Sequence, residues 1–313
     1  MTPAIKFFVF QLLVICPFLV GIYLKNKISD PSAFAKKIVR ANLILFDPLI
    51  ALWSIWGLSL SGDMVFLPLA GITITIAGLI LGRITVPFIT SGVQERTTYL
   101  ISSSLANHGF TMGGLVCYLM AGEKGLGLSA IFTSYFIPYV FIFIFPFAKS
   151  SASGRFSFKS AGSSFLALQN MPLFAILVAV MLHVFRIPRP AVFFPIDALL
   201  MISISLYYFT LGINFMFKDV LAVKKEYVFL SAIKFLMLPL LTFISLQFID
   251  LNRDIKSVIF IESFMPAAVY SVVVSILFDL DSRLASGMFV TSTIAFIVII
   301  LPVLFLLNGI LFF

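Results

Sequence analysis

Charge is scarce in this chain. Of 313 residues only 11% are charged, with 13 acidic side chains against 21 lysines and arginines. Hydrophobic residues make up 61% and the mean hydropathy is +1.14, which excludes a soluble globular domain. Cysteine and histidine are nearly absent, with two of each. Cys16 and Cys117 lie inside apolar runs, where burial as small hydrophobes is expected rather than a disulfide or a metal site. No GxSxG, HExxH or phosphate-binding loop occurs, so no catalytic residues and no enzyme activity are expected. Few spans carry a polar stripe, which argues against a channel. Long polar segments are also missing, which leaves almost nothing for a separate soluble domain.

Long apolar runs fill the chain instead. Each is near the roughly 20 residues that cross a bilayer as a helix. The pattern predicts an all-α integral membrane protein of ten helices, at about 5–24, 40–60, 64–86, 98–121, 126–148, 168–185, 192–215, 227–249, 257–278 and 284–310. The first run, Phe7 to Leu24, lacks a small-residue cleavage site and reads as a span rather than a removed signal. A Ser- and Gly-rich insert begins at Lys149 and reads as a flexible linker. It divides the chain into a first five-helix repeat at 1–148, a linker at 149–167 and a second five-helix repeat at 168–313. Thirteen basic residues fall on one side and six on the other. The bias places the linker in the cytoplasm and both termini outside, in a cell (inner or plasma) membrane. An odd number of spans per repeat makes the two halves inverted. The net charge of +8 fits basic loops beside anionic lipid headgroups rather than a nucleic-acid partner.

Two spans are interrupted. Asn107-His108-Gly109 and Gly113-Gly114 break the fourth, and Met265-Pro266 breaks the ninth. An offset of 158 residues lays the two halves on each other. His108 then falls on Pro266, and Phe132-Thr133-Ser134 falls on Val290-Thr291-Ser292. Backbone groups freed at membrane depth must face protein or a wet cavity, so matched breaks point to a binding site. Packing is the competing reading, since Gly109 and Gly113 form a GxxxG. Arg83 with Pro87, and Lys234 with Pro239, each set a basic residue a turn before a proline. Snorkelling to the headgroups is the first expectation for both, and attraction of an anionic substrate the second.

The Asn107-x-Gly109-Phe110 break, Asn170-Met171-Pro172, Leu211-Gly212-Ile213 and Met265-Pro266-Ala267-Ala268-Val269 resemble the auxin efflux carrier family, within the wider group that includes the bile acid:sodium symporters. The resemblance covers essentially the whole chain through short, degenerate motifs. It implies two inverted repeats whose helices 4 and 9 are broken and cross at the substrate site. It also implies secondary transport of an organic anion by an elevator-like motion. Two positions depart from the family pattern. Gly114 stands where a proline is common, and Tyr270 stands where an asparagine is frequent, which suggests a different or smaller substrate.

The expected substrate-binding residues are Asn107, His108, Gly109, Pro266, Ala267 and Tyr270. The expected ion-coupling set is Asn107, Ser129, Thr133 and Glu262. Glu262 lies one turn before Pro266 in an apolar run, where a carboxylate usually marks an ion or proton pathway. Its place resembles that of the sodium-binding glutamate of the bile acid symporters. Ser129 and Thr133 lie four apart on one helix face, so Na+ could find hard oxygen ligands there. Hydroxyls bonded back to their own helix are the alternative. A protonated Glu262 would instead support H+ coupling, and a structural pairing with a basic residue is the third reading. His108 reads as a proton-linked group or as a cap on freed carbonyls. Asp47 beside Pro48 gates a cavity or caps a kink; His183, Trp53 and Trp56 read as interfacial. No cofactor is expected beyond a coupling ion. The partners expected are the anion, the bilayer and a second copy of the chain as a homodimer. The reading from another functional class is a ligand- or sterol-sensing membrane receptor on the same fold.

Overall fold

The structure is a computed structural model that describes residues 3–59, 61–89, 92–109, 112–152, 171–214 and 225–311. Helix dominates these residues and no strand occurs among them. In chain order the helices are α1 (Pro3–Leu24), α2 (Pro31–Ala41), α3 (Asp47–Trp56), α4 (Phe66–Thr85), α5 (Val93–Ser104), α6 (Gly113–Thr133), α7 (Phe136–Tyr139), α8 (Phe145–Ala152) and α9 (Met171–Val184). They continue as α10 (Ile196–Asn214), α11 (Lys225–Ala232), α12 (Leu238–Gln247), α13 (Arg253–Ser263), α14 (Val269–Leu277), α15 (Ser282–Ala295) and α16 (Leu301–Leu311). Five stretches are long and apolar enough to cross a membrane: Ala33–Trp56, Gly62–Phe88, Gly113–Lys149, Lys225–Gln247 and Ser282–Leu307. The protein is an α-helical membrane protein. Most of the linker, from 153 on, and the Asn170 of the Asn170-Met171-Pro172 motif lie outside the described residues.

Several of these helices are joined by a wide turn with one cause. Asn42–Phe46, Val140–Ile144, Ile233–Met237 and Phe296–Ile300 are π-helical turns. In each, the next residue donates its N–H five residues back: Asp47 to Asn42, Phe145 to Val140, Leu238 to Ile233 and Leu301 to Phe296. In each, the residue after that donor is a proline: Pro48, Pro146, Pro239 and Pro302. Proline lacks an N–H and its ring collides with the carbonyl four residues back. Widening the turn by one residue moves that carbonyl aside and keeps the helix running.

The chain folds as two compact units that each draw on both halves of the sequence. The first comprises residues 1–62, 109–134 and 166–216. Its centre is the pair α1 and α10, which approach backbone to backbone. A methyl on Gly21 would sit 2.3 Å from the Phe209 carbonyl oxygen, and one on Gly212 would sit 2.0 Å from that of Phe18. No larger residue fits either place. The Leu211-Gly212 motif thus serves packing. Helix α6 bends at Gly122, whose φ of 62° is left-handed, one residue before the polar hinge expected at Glu123-Lys124. Within this unit Glu123 pairs with Arg189, the Trp53 ring stacks on Phe194, Trp56 Nε1 donates to the Ile187 carbonyl and His183 bonds the Ile55 carbonyl. These contacts tie the loop after α9 to the end of α3. Cys117 is buried, but Cys16 is exposed on α1 rather than buried as expected.

The second unit comprises 63–108, 135–165 and 217–313, and contains α4, α5, α7, α8 and α11 to α16. Helix α4 lies against α5 through Gly78, where a methyl would come within 2.3 Å of the Ser103 carbonyl oxygen. Both interrupted stretches, 105–108 and 264–268, fall in this unit.

Candidate functional site

The two breaks meet. Helix α5 stops at Ser104 because Leu105 turns extended, with φ −75° and ψ 132°. Helix α13 stops at Ser263; Ala268, just before α14, is extended again at φ −73° and ψ 142°. Ala106 and Ala267 form an antiparallel bridge, the Asn107 N–H donating to the Pro266 carbonyl at 2.8 Å and the Ala268 N–H to Leu105 at 3.2 Å. Each break therefore satisfies backbone groups of the other, as burial away from water requires. Small residues suit this crossing, because Ala106, Ala267 and Ala268 are all buried against it.

Helix ends aimed into the crossing need further partners. Lys234, fully buried in its π-turn, points its ammonium at the end of α5. It donates to the Leu105 carbonyl at 3.1 Å and to Ser104 at 3.4 Å. Leu105 thus accepts from both Lys234 and Ala268. A cation at a helix C-terminus also complements the negative end of the helix dipole. Lys234 does not snorkel, contrary to the first expectation. Extending to the headgroups would take its N–H groups from both carbonyls and leave Leu105 with Ala268 alone. Arg83 differs from it. It is exposed near the end of α4, in an apolar groove with Leu79, Ile80, Ile84, Leu100 and Phe147, as snorkelling predicts. The second break closes more locally. Phe264 donates to Ile261, Met265 to Glu262, and Ala267 to the Ser292 hydroxyl at 3.2 Å.

His108 is buried and bonds the Tyr135 hydroxyl through Nδ1 at 2.8 Å. Tyr135 bonds Thr75 at 2.7 Å, and Thr75 donates its one proton to the Gly71 carbonyl. Tyr135 must then donate to Thr75, so its oxygen accepts from His108, and Nδ1 carries the proton. The Tyr135 ring occupies the space a side chain at Gly71 would fill, since a methyl there would lie 2.3 Å from Cε1. A parallel chain runs beside it. Ser104 donates to the Thr75 carbonyl at 3.1 Å, so Tyr139 donates to Ser104 at 3.0 Å. Glu262, fully buried in the last turn of α13, acts electrostatically on Tyr135, and Lys234 acts likewise on His108. The unit thus gathers a base, an acid, an imidazole and two phenols around crossed backbones.

The expected residues divide between the units. Asn107, His108, Glu262, Pro266, Ala267 and Tyr270 belong to the second unit, and Asn107, at 7% exposure, is itself part of the bridge. Tyr270 lies in the first turn of α14 with its ring edge-on to Phe136. Gly109, Ser129 and Thr133 belong to the first unit. A methyl on Gly109 would meet nothing within 4 Å, so close helix packing does not explain that glycine. Thr133 donates its hydroxyl to the Ser129 carbonyl at 2.8 Å, the back-bond that competes with ion ligation.

No site role is assigned from sequence to Tyr135, Tyr139, Ser104, Thr75 or Ser292. Ser292 had a signal, because it lies in the aligned Val290-Thr291-Ser292 trio. Tyr135 had one too, directly after the matching Phe132-Thr133-Ser134. Among the described residues no group of three His, Cys, Asp or Glu side chains could hold a metal ion. No protein-family model matches the chain, and no curated protein matches it.

Proposed function

We propose that the chain is a secondary carrier of a small organic anion, working by alternating access with Na+ or H+ as its coupling ion. Ten helices in two inverted repeats with the fourth and ninth crossing, as in the auxin efflux carrier family it resembles, are part of this reading. The observation that carries it is the backbone bridge between the two interrupted helices. A membrane protein that only needs to pack has no use for unwound chain at that depth.

The neighbours of the bridge suit an anion and a coupling cation. Lys234 gives two of its three N–H groups to Ser104 and Leu105, which leaves one for a carboxylate oxygen. Helix α14 begins at the crossing with no side-chain cap, so its first N–H groups offer partial positive charge to the same ligand. Asn107, His108, Pro266, Ala267 and Tyr270 of the second unit line the substrate side in this proposal. Glu262 binds the coupling ion, with Asn107 of the same unit as an oxygen partner. The ion pair of Glu123 with Arg189 joins the hinge in α6 to the loop after α9, which supports placing these two connections on the same side of the membrane in this reading.

The test combines binding with flux. Purified protein is heated in Na+ and in choline, as wild type and Glu262→Gln. Vesicles carrying the same proteins are then challenged with labelled mono- and dicarboxylates. A Na+-specific rise in thermal midpoint that Glu262→Gln abolishes, with carboxylate uptake, supports the sodium-coupled form. Uptake driven by a pH gradient and lost in the same variant supports the proton-coupled form. Stabilisation by a ligand without uptake of any carboxylate would overturn the carrier and favour a membrane sensor.

A further inference from the structure

The first unit holds a second buried carboxylate that the carrier reading does not use. Asp47 opens α3 and is buried; its Oδ1 accepts from the Ser203 hydroxyl at 2.9 Å and its Oδ2 from the Tyr207 hydroxyl at 2.5 Å. Both donors lie on α10, four residues apart and so on one face. Among the described residues no basic side chain answers the charge. Lys37 and Arg40 on α2 are exposed, His183 on α9 is bonded to Ile55, and Tyr23 on α1 bonds Lys27. On α6 Tyr118 bonds Asp197 and Glu123 bonds Arg189, while Tyr208 on α10 donates to Met112. Among the described titratable groups on these helices, only Tyr207 reaches Asp47.

Asn42 supplies the missing half of the arrangement. Fully buried, its amide nitrogen donates to the Ser203 carbonyl at 2.9 Å. A carbonyl can only accept, so this bond fixes which end of the amide is nitrogen. The amide oxygen is left buried without a donor among the described residues. Such an oxygen is costly unless something supplies a hydrogen or a cation. The π-turn brings residue 42 beneath residue 47, and Ser203 touches both through its carbonyl and its hydroxyl.

We infer that Asn42, Asp47, Ser203 and Tyr207 form a proton-binding site inside the first unit, separate from the helix crossing. In the charged state Ser203 and Tyr207 donate to the carboxylate. In the neutral state the carboxyl carries the proton, and its O–H turns to the Asn42 amide oxygen. The proton comes from solvent and returns there; no other bond changes. The inference does not depend on the carrier reading.

Infrared difference spectroscopy of the full chain in lipid nanodiscs, titrated with acid, tests this directly. The carbonyl stretch of a protonated carboxyl should grow on acidification in wild type. Asp47→Asn should remove one carboxyl from that band. Asn42→Leu should keep it, shift it toward a free carbonyl and weaken proton affinity about tenfold, the effect of one lost hydrogen bond. Tyr207→Phe, which keeps the carboxyl and removes a donor to its charged form, should strengthen proton affinity by about the same factor and serves if Asp47→Asn does not fold. A band unchanged in Asp47→Asn, or a midpoint unmoved in both Asn42→Leu and Tyr207→Phe, would overturn the site. So would loss of the band in Glu262→Gln alone, which places the titrating carboxyl at the crossing. Suppression of the band by Na+ but not choline at fixed pH would also overturn it, because the occupant would be a metal cation.

Discussion

The two breaks of the second unit solve one problem by different means. At 105–108 the freed carbonyls of α5 are met by Lys234, which arrives from a helix about 130 residues away in the chain. At 264–268 the end of α13 closes on itself through tight turns, and beyond the bridge to the other break it is the Ser292 hydroxyl that reaches in. One break is held by a remote charge and the other by local geometry with a proline in it. The polar break is therefore the more fragile, and also the one whose chemistry a ligand can change.

Substitutions can break or sharpen that contrast. Lys234→Met keeps the volume but removes one donor from each of two buried carbonyls, leaving Leu105 with Ala268 alone. It should cost about 3 kcal/mol in equilibrium unfolding in mixed micelles, the largest effect of the set. Tyr135→Phe removes the hydroxyl that joins His108 to Thr75 while the ring stays on Gly71. A loss of about 1.5 kcal/mol is expected in the same assay. Ser292→Ala, at the second break, takes one acceptor from Ala267 and should cost about 1 kcal/mol. Pro266→Ala should fall below about 0.5 kcal/mol, because the carbonyl of residue 266 keeps its bond from the Asn107 N–H and no buried group loses a partner. If Pro266→Ala proves as damaging as Lys234→Met, the distinction between the breaks is wrong.

The breaks were legible in the sequence because Asn-His-Gly and Met-Pro interrupt otherwise apolar helices, and both act locally. The offset that laid His108 on Pro266 anticipated two stretches that prove to pair around Ala106 and Ala267. Lys234 was not legible. A lysine a turn before a proline in an apolar run looks the same whether it reaches headgroups or a helix end. What decides it is α5, which local pattern cannot place. The hydroxyl chain through Tyr135 and Thr75 was hidden for the same reason, its members lying 60 residues apart. Ser129 and Thr133 show the opposite case. Their spacing suggested a shared ligand, yet the same spacing lets Thr133 donate to the Ser129 carbonyl.

The wide turns before Pro48, Pro146, Pro239 and Pro302 have a consequence for chain length. Each holds one residue more than a regular helix needs, which rotates everything beyond it by roughly 100°. Related chains without the proline should be one residue shorter at that point, so that the far side of the helix keeps its register. In this chain, deleting one residue from 42–46 together with Pro48→Ala should give a continuous helix. Either change alone should turn Asp47 away from Ser203 or strain the helix that carries it.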